Sequence, residues 1–208
     1  MISTLLNSAT QARALLIFAH GAGADMNHPF MANIADKLGQ YGIEVLRFNF
    51  PYMDKRIKDG KRRPPDRMPA LLSCYETIIA ELDSELPLFI GGKSMGGRVA
   101  ASLAKESPGK IGGVVCLGYP FHPSKKPEKL RLEPLQNIDR PVLILQGQRD
   151  ALGAEIEIAD YEISSRCELR YFVDGDHDLK PRVKSGYTHQ QHIEGAIQQI
   201  LRFIDENS

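Results

Sequence analysis

The sequence predicts an α/β fold, an open and mostly parallel sheet of about six or seven strands with helices on both faces. Two observations predict it. Short apolar runs alternate along the chain with segments of helical period. Most of those runs are too uniformly apolar to keep a wet face, as is usual for parallel strands covered on both sides. At 208 residues the chain suits a single domain, taken as residues 1–208, and can bury a full core.

In chain order, residues 14–19 (ALLIFA) read as the first strand. Met31, Ile34, Ala35 and Leu38 follow at helical spacing, and Pro29 suits the first turn of that helix. Residues 43–48 (IEVLRF) are the next strand, and 54–68 reads as a basic, proline-bearing loop. Leu71, Leu72, Tyr75, Ile78, Ile79 and Leu82 make a helix before the strand at 87–91 (PLFIG). Met95, Val99, Ala100, Leu103 and Ala104 make another before the strand at 113–117 (GVVCL). The lysine- and proline-rich stretch 119–136 has room only for a loop and at most one short helix. The strand at 142–146 (VLILQ), a helix through Leu152, Ile156, Ala159 and Ile163, and the strand at 169–173 (LRYFV) come next. Ile193, Ala196, Ile197, Ile200, Leu201 and Ile204 close the chain as one apolar helical stripe. In such sheets ligands sit beyond the carboxyl ends of the strands. The residues just after each strand are therefore where function is sought.

Composition narrows the class of function. Lys plus Arg and Asp plus Glu are 26 each, so no global field draws the chain toward nucleic acid or a membrane. Cys74, Cys116 and Cys167 form no C-x-x-C pair, so neither a disulfide framework nor a zinc site is signalled. The first residues lack the basic and long apolar segments of a secretory leader, and no apolar run nears the about 20 residues that span a bilayer. A cytoplasmic protein is expected.

After the strand at 87–91 comes Gly92-Lys93-Ser94-Met95-Gly96-Gly97, then a helix. Gly92-x-Ser94-x-Gly96 between strand and helix is the nucleophile-elbow pattern. The serine stands at a strained backbone angle, and the residues two before and two after approach too closely for any side chain. A plain glycine-rich turn with an N-capping serine is the bland alternative. Gly-Lys-Ser also ends like a phosphate-binding P-loop, but Pro87 stands where that motif needs a glycine.

Asp150 ends Gly147-Gln148-Arg149-Asp150 after the strand at 142–146, and His177 follows the strand at 169–173. The order Ser, Asp, His is that of an acyl-transfer triad. Histidine takes and returns the hydroxyl proton, because its ordinary pKa lies near working pH, and the aspartate fixes its tautomer. Asp150 could instead cap a helix beginning near Leu152. The acidic surroundings of His177 could suggest a cation loop, but EF-hand spacing is missing. His189 and His192 are spaced for one helix face but lack a third ligand nearby. No metal and no cofactor are implied. His20-Gly21-Ala22-Gly23 offers backbone N–H groups at the sheet edge. The oxyanion hole is assigned to Ala22 and Met95, with Gly23 as an alternative to Ala22.

On these residues the chain resembles the small α/β-hydrolases grouped with dienelactone-hydrolase-like proteins, most closely the testis-expressed protein 30 group. The matching stretches begin at His20-Gly-Ala-Gly-Ala-Asp, Gly91-Gly-Lys-Ser-Met-Gly-Gly-Arg98, Gly118-Tyr-Pro-Phe-His, Pro127-Glu-Lys-Leu-Arg131 and Gln146-Gly-Gln-Arg-Asp150. The resemblance implies an α/β-hydrolase core with its triad on Ser94, Asp150 and His177. Bacterial dienelactone hydrolases use a cysteine where this chain has Ser94, so their substrate does not transfer. Larger relatives insert a lid domain where this chain has 119–136, which implies an open site.

The expected function is a serine hydrolase that cleaves a small ester, thioester or related acyl bond through an acyl-enzyme on Ser94. Gly23, Tyr119, Arg62 and Arg63 are assigned to substrate binding. Seven basic side chains stand against three acidic ones in 54–68, a rim that suits an anionic small-molecule substrate. The other class of reading is a binding or scaffold module with little turnover. The fold permits it, and relatives include a subunit of a chromatin-modifying complex.

Overall fold

In the computed structural model, which describes residues 2–106 and 111–208, seven strands form one sheet in the order β1-β3-β2-β4-β5-β6-β7. The strands are β1 (Thr4–Asn7), β2 (Ala14–Ala19), β3 (Ile43–Phe48), β4 (Leu88–Lys93), β5 (Ile111–Leu117), β6 (Val142–Gly147) and β7 (Cys167–Phe172). All neighbours are parallel except β1, which pairs antiparallel with β3 at the edge. The helices are α1 (Pro29–Gln40), α2 (Pro51–Asp59), α3 (Met68–Ala80), α4 (Met95–Glu106), the single turn α5 (Glu155–Ile158) and α6 (His189–Asn207).

The uniformly apolar strands are explained by which way alternate residues point. Leu16 and Phe18 of β2 join Val115 and Leu117 of β5 and Leu143 and Leu145 of β6 in a core beneath α1 and α6. Ile17 and Ala19 join Val114, Cys116, Val142 and Ile144 in a second core beneath α3 and α4. Both faces are dry, so neither set can be polar. The α6 stripe from Ile193 to Ile204 is almost wholly buried, each large side chain contributing about 1.5–3 kcal/mol relative to exposure.

Two expectations are corrected. The stretch 54–68 is not one loop, because its first part belongs to α2. Pro51 takes the first turn, Tyr52 and Met53 are buried, and Gly60 ends the helix at φ 69°. The helix expected through Leu152 to Ile163 shrinks to α5, because Gly153 holds φ 146° and Ile156 of the expected stripe is 83% exposed, while Ile158, outside that stripe, takes the buried position. Residues 119–136 form turns with no helix. No lid stands over the carboxyl edge of the sheet among the described residues, and none of their helices is long and apolar enough to cross a membrane.

Candidate active site

Ser94 is the hinge between β4 and α4 and holds φ 52°, a left-handed value that costs a non-glycine residue roughly 1–3 kcal/mol. The two flanking glycines make it possible. A Cβ on Gly92 would come 2.5 Å from the Ala19 carbonyl oxygen and 2.6 Å from Gly96, and one on Gly96 would come 2.3 Å from that same oxygen. The elbow is thus pressed against the end of β2, where the turn 20–23 begins. The N–H groups of the first turn of α4, from Met95 onward, have no carbonyl partner inside the helix.

The turn 20–23 is aimed by two buried side chains. The Nε2 of His20 accepts the Phe50 N–H at 3.1 Å, so Nδ1 holds the proton and donates it to the Gly21 carbonyl at 2.7 Å. Burial holds the His20 pKa below its ordinary value, in keeping with that neutral tautomer. The Tyr52 hydroxyl donates to the Ala22 carbonyl at 3.0 Å. In a trans peptide the N–H points opposite the C=O. With the Gly21 and Ala22 carbonyls turned toward His20 and Tyr52, the N–H groups of Ala22 and Gly23 face away from them. Ala22, Gly23 and Ser94 line one cavity of about 360 Å³.

Asp150 and His177 meet across β6 and β7. The His177 Nδ1 donates to Asp150 Oδ2 at 2.8 Å, so in the neutral ring it is Nε2 that carries the free lone pair. Asp150 is fully buried, and its charge is matched by the Gln146 amide at 3.0 Å and the Leu152 N–H at 2.9 Å. The Leu152 bond is the local turn that remains of the expected helix cap. His177 lines the same cavity as Ser94, so the structure brings Ser94, His177, Ala22 and Gly23 around one space, with Asp150 behind the imidazole. Met95 lies on the other flank of Ser94, in a second cavity of about 380 Å³ that also reaches Ala22.

The acidic loop around His177 is taken up by basic side chains and backbone N–H groups. Asp174 takes the Arg182 guanidinium, Asp178 pairs with Lys93 at 3.2 Å, and Asp176 accepts the N–H groups of Asp178 and Lys180 at 2.9 Å. Among the described residues no three His, Cys, Asp or Glu side chains are grouped to hold a metal.

Tyr119, assigned to substrate contact, is fully buried with its hydroxyl donated to the Arg131 carbonyl at 2.9 Å. Its ring packs edge-on against Phe121, so it supports the wall and offers no face to a ligand. Arg63 is spent on Asp59, at 2.5 Å, and neither Arg62 nor Arg63 lines the two cavities described beside Ser94. Arg62 and Arg63 therefore stand off these two cavities, although Asp66 and Met68 of the same stretch line the second and Arg56 lines a neighbouring one with Gly23.

Lys93, dismissed in the sequence with the P-loop pattern, is a buried tether. Its Nζ donates to the His177 carbonyl at 2.6 Å, pairs with Asp178, and stands 5.5 Å above the Phe30 ring. Burial lowers the Lys93 pKa, and Asp178 partly offsets this. Lys93→Met should free the histidine loop, with faster hydrogen exchange at the amides of Asp176, Asp178, Leu179 and Lys180. The lost charge-assisted bonds cost roughly 1–3 kcal/mol, since Asp178 is 59% exposed, and so lower the Tm by a few degrees. Unchanged exchange at those amides would remove the tether from the account.

The antiparallel edge strand, the parallel sheet behind it and the elbow after β4 define the α/β-hydrolase class. Residues 12–205 match the alpha/beta hydrolase domain family, and the chain belongs to it. Solved structures share the fold at low identity. An alpha-beta serine hydrolase homologue from Coxiella burnetii superposes with a TM-score of 0.73 at 16% identity, covering 97% of this chain and 90% of that one. A dienelactone hydrolase from Anabaena variabilis gives 0.71 at 20% identity, with 97% and 91% covered. A Xanthomonas campestris protein described as an α/β serine hydrolase without lid gives 0.67 at 17% identity, with 97% and 88% covered.

Proposed function

We propose that the protein is a serine hydrolase acting on a small ester, thioester or related acyl bond, of the dienelactone-hydrolase-like kind and nearest the testis-expressed protein 30 group. The observation that carries the reading is a fully buried Asp150 bonded to a partly exposed His177 that opens on the cavity holding Ser94 at positive φ. The Ser94 hydroxyl attacks the acyl carbon while His177 Nε2 takes its proton. The carbonyl oxygen, now an oxyanion, is held by the N–H groups of Ala22 and Met95, each donor of this kind contributing about a hundredfold to a thousandfold in rate. Collapse breaks the bond to the leaving group, which takes the proton from His177. Water then attacks the acyl-enzyme by the same route and restores Ser94.

Proton return places the leaving group beside His177, in the first cavity. The acyl group then lies on the opposite flank, in the second cavity, beside Met95. The fluorophosphonate test is peptide mapping after labelling of the full chain. One adduct on Ser94 is expected. Ester turnover with an adduct elsewhere and none at Ser94 would move the nucleophile.

A further inference from the structure

The cavity on the acyl side of Ser94 holds two arginines that the reaction does not use. Arg98 stands one turn along α4 from the nucleophile, its N–H bonded to the Ser94 carbonyl at 3.1 Å. Arg131 comes from the connection between β5 and β6. Its backbone is fixed on both sides, by the Phe121 carbonyl at 2.7 Å and the buried Tyr119 hydroxyl at 2.9 Å. Both line the cavity with Ser94 and Met95, and Met68 and Leu71 supply apolar wall.

Neither guanidinium is neutralised. Among the described residues no carboxylate makes an ion pair with Arg98 or Arg131, and the Arg98 Nε is buried without a hydrogen-bond partner. Asp66 also reaches the cavity, where its carboxylate accepts the Tyr52 N–H at 3.0 Å and makes no ion pair with either arginine, so the lining keeps two positive charges against one negative. The two arginines also oppose each other, since burial and then the neighbouring Arg98 hold the Arg131 pKa below its ordinary value. Two like charges lining one cavity are stabilised by an anion between them, and the planar guanidinium fork matches a carboxylate.

We infer that Arg98 and Arg131 form an anion subsite on the acyl side of Ser94, so that the preferred substrate is an ester or thioester whose short acyl chain ends in a carboxylate. This rests on Ser94 as nucleophile for its place in the reaction, but the subsite itself can be tested without turnover. It also relocates the anionic preference expected from 54–68, from the outer rim to the wall of the site.

Two measurements decide it on the full chain. The first compares kcat/KM for mono-para-nitrophenyl adipate and for para-nitrophenyl hexanoate, which have equal chain length and differ in charge. The anionic ester should be preferred, and Arg98→Gln with Arg131→Gln should cut that preference about tenfold or more, while Arg98→Lys with Arg131→Lys keeps part of it. The second is calorimetric binding of monomethyl adipate and methyl hexanoate to Ser94→Ala, with and without the two glutamine substitutions. It should show the same preference and the same loss. If no Ser94-dependent turnover exists, the hydrolase reading falls, and the binding comparison alone decides the subsite. Equal binding of the two esters, or a preference that survives the glutamine substitutions, overturns the inference. So does a preference that disappears instead with Arg62→Ala and Arg63→Ala.

Discussion

Ser94→Ala is expected to abolish both fluorophosphonate labelling and ester turnover, with kcat falling by up to about a millionfold, or roughly 8 kcal/mol of transition-state stabilisation. The size of the effect follows from what remains. In the proposed mechanism, loss of the hydroxyl leaves no acyl-enzyme, and only the N–H groups assigned to the oxyanion hole, those of Ala22 and Met95, still act on a bound ester attacked by water. The fold should survive. The elbow is held by Gly92 and Gly96 against Ala19 and by the Ser94 N–H to the Leu117 carbonyl at 2.9 Å, and alanine keeps all of these. A thermal melt near that of the parent, beside a silent active site, separates lost chemistry from lost structure. Labelling that persists in the alanine protein would mean that another nucleophile reacts.

Legibility in the sequence followed burial. Residues 14–19 and 142–145 could be read because both their faces meet a dry core, so every position had to be apolar. The α6 stripe was equally plain. β1 was missed because an edge strand of four residues, with Leu5 and Leu6 exposed, presents neither alternation nor a long apolar run. α2 was missed because Lys55, Arg56, Lys58 and Asp59 swamp its short buried side. Pro51 and Gly60 did mark its two ends.

The same logic sorts the site. Ser94, Asp150 and His177 were legible because each follows a strand, and the topology alone brings those ends to one edge. Tyr119 also follows a strand, but its side chain turns inward beneath the wall. Sequence position gives the edge of the sheet without giving the direction of the side chain. His20, Tyr52 and Gln146 orient the turn and the acid from behind, and their roles depend on contacts across distant elements. Lys93 had a local signal, a lysine inside the elbow, but its partner loop lies at the other end of the chain. Arg98 and Arg131 become a pair only when α4 and the connection after β5 share a cavity.

His177→Ala should cost nearly as much kcat as Ser94→Ala, and the double substitution no more than the larger single loss, because the two act as one unit. Asp150→Asn is the more telling change. The carboxylate now accepts from His177 and Gln146 at Oδ2 and from Leu152 at Oδ1. An amide at this fully buried position must turn its NH2 toward one side or the other. Facing His177, it opposes the Nδ1–H and drives the ring to the tautomer that cannot take a proton from Ser94. Facing Leu152, it sets donor against donor in the interior, at about 1–3 kcal/mol, and the imidazolium formed during attack still loses its counter-charge. Either orientation should lower kcat about a thousandfold or more, with a smaller change in KM. Steady-state kinetics on a neutral ester, beside a thermal melt, measures both consequences. If Asp150→Asn folds with the parent melting temperature and keeps kcat within tenfold, His177 does not depend on Asp150 and the triad reading fails at its acid.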